Sequence, residues 1–151
     1  TYHRLFPEIT SWQREVKQQL DNTRTIRNMF GYPRHFGGVI EDKTYKEAYA
    51  QNPQSTVGCI THIAYTEMQK YIEEAGVEWN LLVNKHDSIL LEVLEEDVPF
   101  AGPILQASPE QELTGRDGVV FNMRTELACG KNWGKYSEKN NPDGMKELIL
   151  A

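Results

Sequence analysis

Residues 81–93, LLVNKHDSILLEV, constrain this chain more than any other stretch. Two apolar runs flank a His-Asp pair, His86 and Asp87, with turn-tolerant Lys85 and Ser88 on either side. Leu81, Leu82 and Val83 predict one strand, and Ile89, Leu90, Leu91, Glu92 and Val93 predict the other. The segment therefore reads as a β-hairpin with a carboxylate at its tip. A carboxylate held on a rigid hairpin inside apolar surroundings is costly to desolvate. A cation offsets that cost, so Asp87 is a candidate metal ligand. The other reading is a surface hairpin in which Asp87 only makes the turn, since Asp is a common turn residue. The hairpin by itself leaves both open.

At 151 residues the chain is about one domain by size. No apolar run of about 18 residues occurs, which argues against a membrane-spanning helix and a membrane partner. The opening TYHRLFPEIT lacks the basic-then-apolar layout of a signal peptide. Cys59 and Cys129 have no CxxC spacing, which points to reduced thiols in the cytoplasm rather than a disulfide framework or a zinc site. The net charge of −6 argues mildly against a free-standing nucleic-acid binder, but the charge is uneven. Residues 1–46 hold eight Lys/Arg against five acids, and the remainder holds eight against seventeen. A polyanion suits the front of the chain; a cation or a basic partner suits the back.

Pro7 and Glu8 predict a helix to about Leu20 or Asp21, on the spacing of Ile9, Trp12, Val16 and Gln19 or Leu20, with Asp21 and Asn22 as its stop. Arg24, Arg27 and Arg34 then interleave with Ile26, Met29, Phe30 and Phe36, and glycines punctuate. This predicts a short β-ribbon with its arginines on one side, or else a solvated basic loop. Asp42 or Thr44 predicts the cap of a second helix, with Glu47 completing a capping box. Pro53 predicts a kink or break within it, and Gly76 its end. After the hairpin, Pro99, Pro103 and Pro109 predict a short or irregular helix. Residues 119–129 predict a last strand, and the tail a loop with a short helix. The fold class is α+β.

Other chemistries find little support. None of the four histidines lies at HExxH spacing, and no GxGxxG, GxxxxGK[ST] or GxSxG element occurs. The pair His86-Asp87 also occurs in HD-type phosphohydrolases, but those need further His and Asp ligands on helices.

Five segments, in order, resemble the C-terminal part of a family A DNA polymerase, the DNA polymerase I type. RLFPEITSWQREV resembles a helix that opens with aromatic residues before Pro. NMFGYPRHFGG resembles the Thr-x-x-Gly-Arg-x-Arg segment, PQSTVG the Gln-Gly-Thr or Gln-Ser-Thr helix start, NKHDSILLEV motif C, and GKNWGKY the closing Gly-x-x-Trp element. The resemblance is to phage-type members, which tolerate serine after the motif C aspartate, as at Ser88.

The resemblance implies part of a polymerase palm: the motif C hairpin, a later strand and packed helices, completed by another chain or segment. Residues 1–45 would be the end of the fingers with the basic ribbon, and residues 46–151 the C-terminal palm segment. It implies that Asp87 binds two catalytic Mg2+ ions and that His86 lies near the primer 3′ end. Gln54 would contact the duplex near the primer terminus, Lys46 would take the place of an arginine on the DNA side, and Arg34 would lie nearer the duplex than the chemistry. Asn84 stands where Gln is typical and Ala50 where Asn is common, so the duplex contacts are expected to be fewer.

Motif A, with the other metal-binding aspartate, and motif B, the fingers helix that holds the nucleotide phosphates, do not occur in these 151 residues. Two-metal nucleotidyl transfer needs ions about 4 Å apart held by separated carboxylates. The expected partners are therefore an N-terminal polymerase fragment carrying motifs A and B, primer-template DNA and dNTP, and the chain alone is expected to be inactive. The expected setting is the cytoplasm of a bacterium or a phage-infected host. A leading Thr is what an intein junction would leave, and equally what a gene boundary could leave. The alternative function is a non-catalytic DNA-binding or interaction module using the front-half arginines.

Overall fold

The chain builds two compact units, Thr1–Cys59 and Ile60–Ala151, and the division falls inside its longest helix. The computed structural model describes residues 2–115 and 118–149, with side chains from Arg4 onward.

In the first unit, α1 (Tyr2–Leu5) precedes α2 (Pro7–Thr23), β1 (Thr25–Arg27), β2 (Pro33–His35) and the start of α3 (Asp42–Ala75). Pro7 starts α2, where a missing N–H would have had no helical partner. The helix passes its predicted stop and ends at Arg24, which turns left-handed (φ 54°) and donates its N–H to the Leu20 carbonyl at 2.8 Å. Four-residue spacing puts Trp12, Val16 and Leu20 on one face. They close against Ile26, Phe36 and Ala48, with Ile40, Tyr45 and Tyr49 around them.

The predicted ribbon forms, with Ile26 opposite Arg34 and Arg27 opposite Pro33. Opposed residues share a face and neighbours alternate. Arg34 therefore lies on the side of buried Ile26, and Arg27 lies on the other side. The one-sided array of arginines is thereby corrected: the two-residue strand period divides it.

α3 begins with the Tyr45 N–H donating to the Glu41 carbonyl at 3.2 Å. Thr44 is not the cap. It sits inside the first turn, and its hydroxyl reaches back to accept the Glu41 N–H at 3.3 Å. The helix continues through Pro53, so of the expected kink or break the break does not occur. Around that turn the Ser55 hydroxyl donates back to the Gln51 carbonyl one turn earlier at 2.6 Å. Gly76 (φ 63°) ends α3 as predicted and donates its N–H to Ile72 at 3.0 Å.

The second unit buries Ile60, Ala64 and Met68 of α3. It continues as β3 (Asn80–Lys85), β4 (Ser88–Glu92), a 3-10 turn (Glu95–Asp97) and α4 (Val98–Ala107). Trp79 is 4% exposed. Its ring lies 5.8 Å from that of Tyr71 and 5.9 Å from that of Phe100. Its indole N–H donates to Asp97 Oδ2 at 2.9 Å. The tryptophan thus ties the start of the hairpin to α3 and α4.

Two short antiparallel pairs follow: β5 (Leu113–Thr114) with β6 (Val120–Phe121), and β7 (Ala128–Cys129) with β8 (Lys146–Glu147). The single last strand predicted over residues 119–129 is therefore divided. Thr125 is the reason: its N–H and hydroxyl both donate to Glu110 Oε1, at 2.8 and 3.0 Å, and its carbonyl accepts from Gln106 Nε2. These bonds replace a strand partner. The predicted terminal helix is also absent among the described residues, because Lys146 and Glu147 pair with β7 instead. The architecture is α+β, helices with four two-stranded antiparallel sheets among the described residues.

Candidate functional site

The hairpin forms as its apolar runs predict, with Lys85 opposite Ser88 and a two-residue turn of His86 and Asp87. His86 takes φ 54° and Asp87 does not take a positive φ. A positive φ at the first turn residue alone is the type II′ pattern, which suits strand twist and normally takes glycine there. A histidine in this position holds backbone strain, and such strain collects at functional sites. The Ser88 hydroxyl donates to the Lys85 carbonyl at 3.0 Å and closes the turn. Ser88 thus has a local structural use that an acid would not reproduce.

Asp87 is exposed at the tip, and so is His86. The apolar surroundings expected for the carboxylate are not there, because Ile89, Leu90 and Leu91 are the half-buried part of β4 and the turn projects beyond them. Among the described residues, no group of three or more His, Cys, Asp or Glu could hold a metal. Asp87 offers two hard oxygen donors of the kind Mg2+ prefers, yet one carboxylate does not make a cage for one ion, still less two.

In the first unit, Lys46 and Gln54 are exposed on α3. Arg34 is engaged. Its guanidinium forms an ion pair with Glu47 at 2.9 Å, donates to Gln51 Oε1 at 3.3 Å and lies 4.7 Å from the centre of the Phe36 ring. Both ion-pair partners are about two-fifths exposed, so the bridge is worth little in stability, but it fixes the direction of the side chain.

Asn28 was not legible as a site residue, although it organises the ribbon. Its buried amide oxygen accepts the N–H of Phe30 at 3.0 Å and of Tyr32 at 2.9 Å. Its amide nitrogen donates to Cys59 Sγ at 3.2 Å. The ribbon turn is thereby tied to the turn of α3 that follows Gln54.

GKNWGKY was legible as a closing element, but the bonding inside this C-terminal loop was not. Asn132 and Asn141 pair their amides reciprocally, each bond 3.0 Å. A Cβ on Gly134 would come within 2.7 Å of Asn141 Nδ2 and 2.9 Å of Asn132 Oδ1, so a side chain there would displace the amide pair. This loop carries Trp133, with Lys85 of the hairpin 5.4 Å from its ring centre.

The fold matches a solved polymerase. It superposes on the POL domain of Pol1 from M. smegmatis, in a structure with DNA primer-template and dNTP, with a TM-score of 0.65 and 18% identity over 72% of this chain. At that identity the likeness concerns the fold. Sequence relatives point the same way. The chain is similar to the DNA polymerase of Bacillus phage SP01 (24% identical over 94% of the chain). It is also similar to the mitochondrial DNA polymerase I B of Oryza sativa (22%, 87%) and to DNA polymerase I of Treponema pallidum (21%, 89%). No protein-family model matches. The resemblance to the DNA polymerase I type thus extends over most of the chain, which spans only 13–16% of the length of those relatives.

Proposed function

We propose that this chain is the C-terminal palm segment of a template-dependent DNA polymerase. The observation that carries this reading is the strained two-residue turn, which presents His86 and Asp87 in solvent at the tip of a hairpin within a polymerase-like fold. Residues 1–45 end the fingers and supply the basic ribbon, and residues 46–151 form the palm segment.

Asp87 contributes one carboxylate to a Mg2+ site whose other carboxylate lies outside these 151 residues. The bound ions would supply positive charge where the transferred phosphoryl group is most negative. The hairpin's part is positional. It holds the carboxylate on a backbone fixed by cross-strand bonds, so little reorganisation is needed as charge develops. His86 lies beside the primer 3′ end. Gln54 and Lys46 contact the duplex from the exposed side of α3, and Arg34, held by Glu47, presents the ribbon to the phosphates. The partners are a polypeptide carrying motifs A and B, primer-template DNA and dNTP. The chain is inactive without that polypeptide.

The test is reconstitution. Mixed with a fragment carrying motifs A and B, the chain should restore primer extension, and Asp87→Asn should abolish it while duplex binding is largely kept. Extension by the 151-residue chain alone, or full activity of the Asp87→Asn mixture, would sink the reading. If Asp87 is dispensable while arginine changes lower affinity and its salt slope, the chain is a DNA-binding module instead.

A further inference from the structure

Trp133 is 56% exposed, yet it sits on one of the most tightly bonded loops of the second unit. The Asn132–Asn141 amide pair is only part of that bonding. Asn132 Oδ1 also accepts the Gly134 N–H at 2.9 Å, and Ser137 and Asn141 exchange backbone bonds at 3.0 and 2.8 Å. The Met145 N–H donates to the Gly134 carbonyl at 2.7 Å. A loop with this many fixed atoms holds its indole in a defined place without burying it.

The ring meets one cation directly and has two more beside it in sequence. Lys85 covers it at 5.4 Å, and Lys131 and Lys135 flank it in sequence with no acid within two residues. Five of the eight Lys/Arg in residues 47–151 belong to this loop or to the facing hairpin: Lys85, Lys131, Lys135, Lys139 and Lys146. The acids of the same two segments are Asp87, Glu92, Glu138, Asp143 and Glu147, and Lys131 forms an exposed ion pair with Glu95 at 3.6 Å. A rigid, half-exposed ring under one lysine, with two more lysines on the same short loop, suits a nucleic-acid strand. Bases stack on such a ring whatever their sequence, and the lysines neutralise the backbone. A protein partner would be met by apolar neighbours, and the residues beside Trp133 in sequence are Lys131, Asn132, Gly134 and Lys135. Lys85 also immediately precedes His86 and Asp87, so a strand on this ring would pass the turn of the hairpin.

We propose that Trp133, with Lys85, Lys131 and Lys135, forms a stacking and phosphate-binding site for single-stranded nucleic acid beside the His86-Asp87 turn. Only the placing of that strand relative to the chemistry rests on the polymerase reading; the binding itself does not.

The test is a fluorescence titration of the 151-residue chain with a thymidine oligonucleotide. Trp133→Phe isolates the Trp133 signal from those of Trp12 and Trp79. The oligonucleotide should quench wild type more than Trp133→Phe, and Trp133→Ala should bind roughly 5- to 150-fold more weakly. Lys135→Ala, which keeps the backbone carbonyl that accepts the Asn141 amide at 3.2 Å, should weaken the Trp133 quench and lower its salt slope by about 0.7. Asn141→Ala keeps Trp133 and every lysine but loosens the loop, and should weaken the same quench. The proposal is overturned if wild type and Trp133→Phe respond alike, or if Lys135→Ala leaves the isotherm unchanged. It is also overturned if Trp133→Ala spares oligonucleotide binding but breaks association with a polypeptide carrying motifs A and B, for then the ring is a protein contact. No nucleotide incorporation is measured, so failure of the polymerase reading would leave these outcomes intact.

Discussion

Replacing Trp79 should weaken the second unit more than any other single change near the hairpin. The side chain is 4% exposed, touches aromatic rings on α3 and α4, and donates a hydrogen bond to Asp97 at 2.9 Å. Two contributions can be separated. Trp79→Phe keeps an aromatic ring but deletes the N–H, and hydrogen bonds to charged groups are worth about 1.5–3 kcal/mol. Asp97 is only half-buried and water can replace the lost donor, so the lower end, about 1.5 kcal/mol, applies. Trp79→Ala also empties the space between Tyr71 and Phe100 and should cost about 3–5 kcal/mol. Urea unfolding followed by far-ultraviolet circular dichroism measures both without relying on the altered fluorophore. Amide exchange adds a local readout, since Trp79 directly precedes β3: the β3–β4 amides should exchange faster in Trp79→Ala. A loss below about 1 kcal/mol in Trp79→Ala, with unchanged exchange in the hairpin, would refute the claim that this residue anchors the site.

Two further outcomes follow from single side chains. His86→Gly relieves a positive φ at the turn and should stabilise the hairpin by about 1 kcal/mol, measured by the same denaturation, even as it removes the ring proposed to lie near the primer end. The Tyr45 phenol donates to Asp21 at 2.7 Å, and this hydrogen bond, with some desolvation and the Asp21 charge, raises its pKa above the ordinary tyrosine value. The bonded phenol is protonated, so its contribution to stability is present below the ordinary tyrosine pKa and lost as the pH rises through the raised one. Ultraviolet titration of phenolate should therefore show one late-ionising tyrosine, and Asp21→Asn should return it towards the ordinary range.

Much of the fold was legible because its determinants are local. The four-residue spacing of Trp12, Val16 and Leu20 gives α2 its buried face, and Gly76 stops α3 with a backbone that other residues adopt at a cost. The hairpin was legible from its two apolar runs and the short polar turn between them. Arg34 was recognisable as a basic ribbon residue, but its ion pair with Glu47 joins positions thirteen apart and leaves no periodic trace. Asn28 and Asn141 stayed hidden for the same reason: each acts through one amide, and asparagine in a loop is common enough to carry no signal.

The sequence by itself determined the elements with a repeating pattern and the identity of the turn residues His86 and Asp87. It also set the ordered series of segments that resemble a polymerase. The tertiary structure alone decided what surrounds those residues. It placed Asp87 in solvent, divided residues 119–129 through the bonds of Thr125, and brought Trp133 against Lys85. Periodicity reports which face of an element is apolar. Meetings between residues about 50 apart depend on how the chain closes, and that is settled by packing and hydrogen bonds that no single stretch contains.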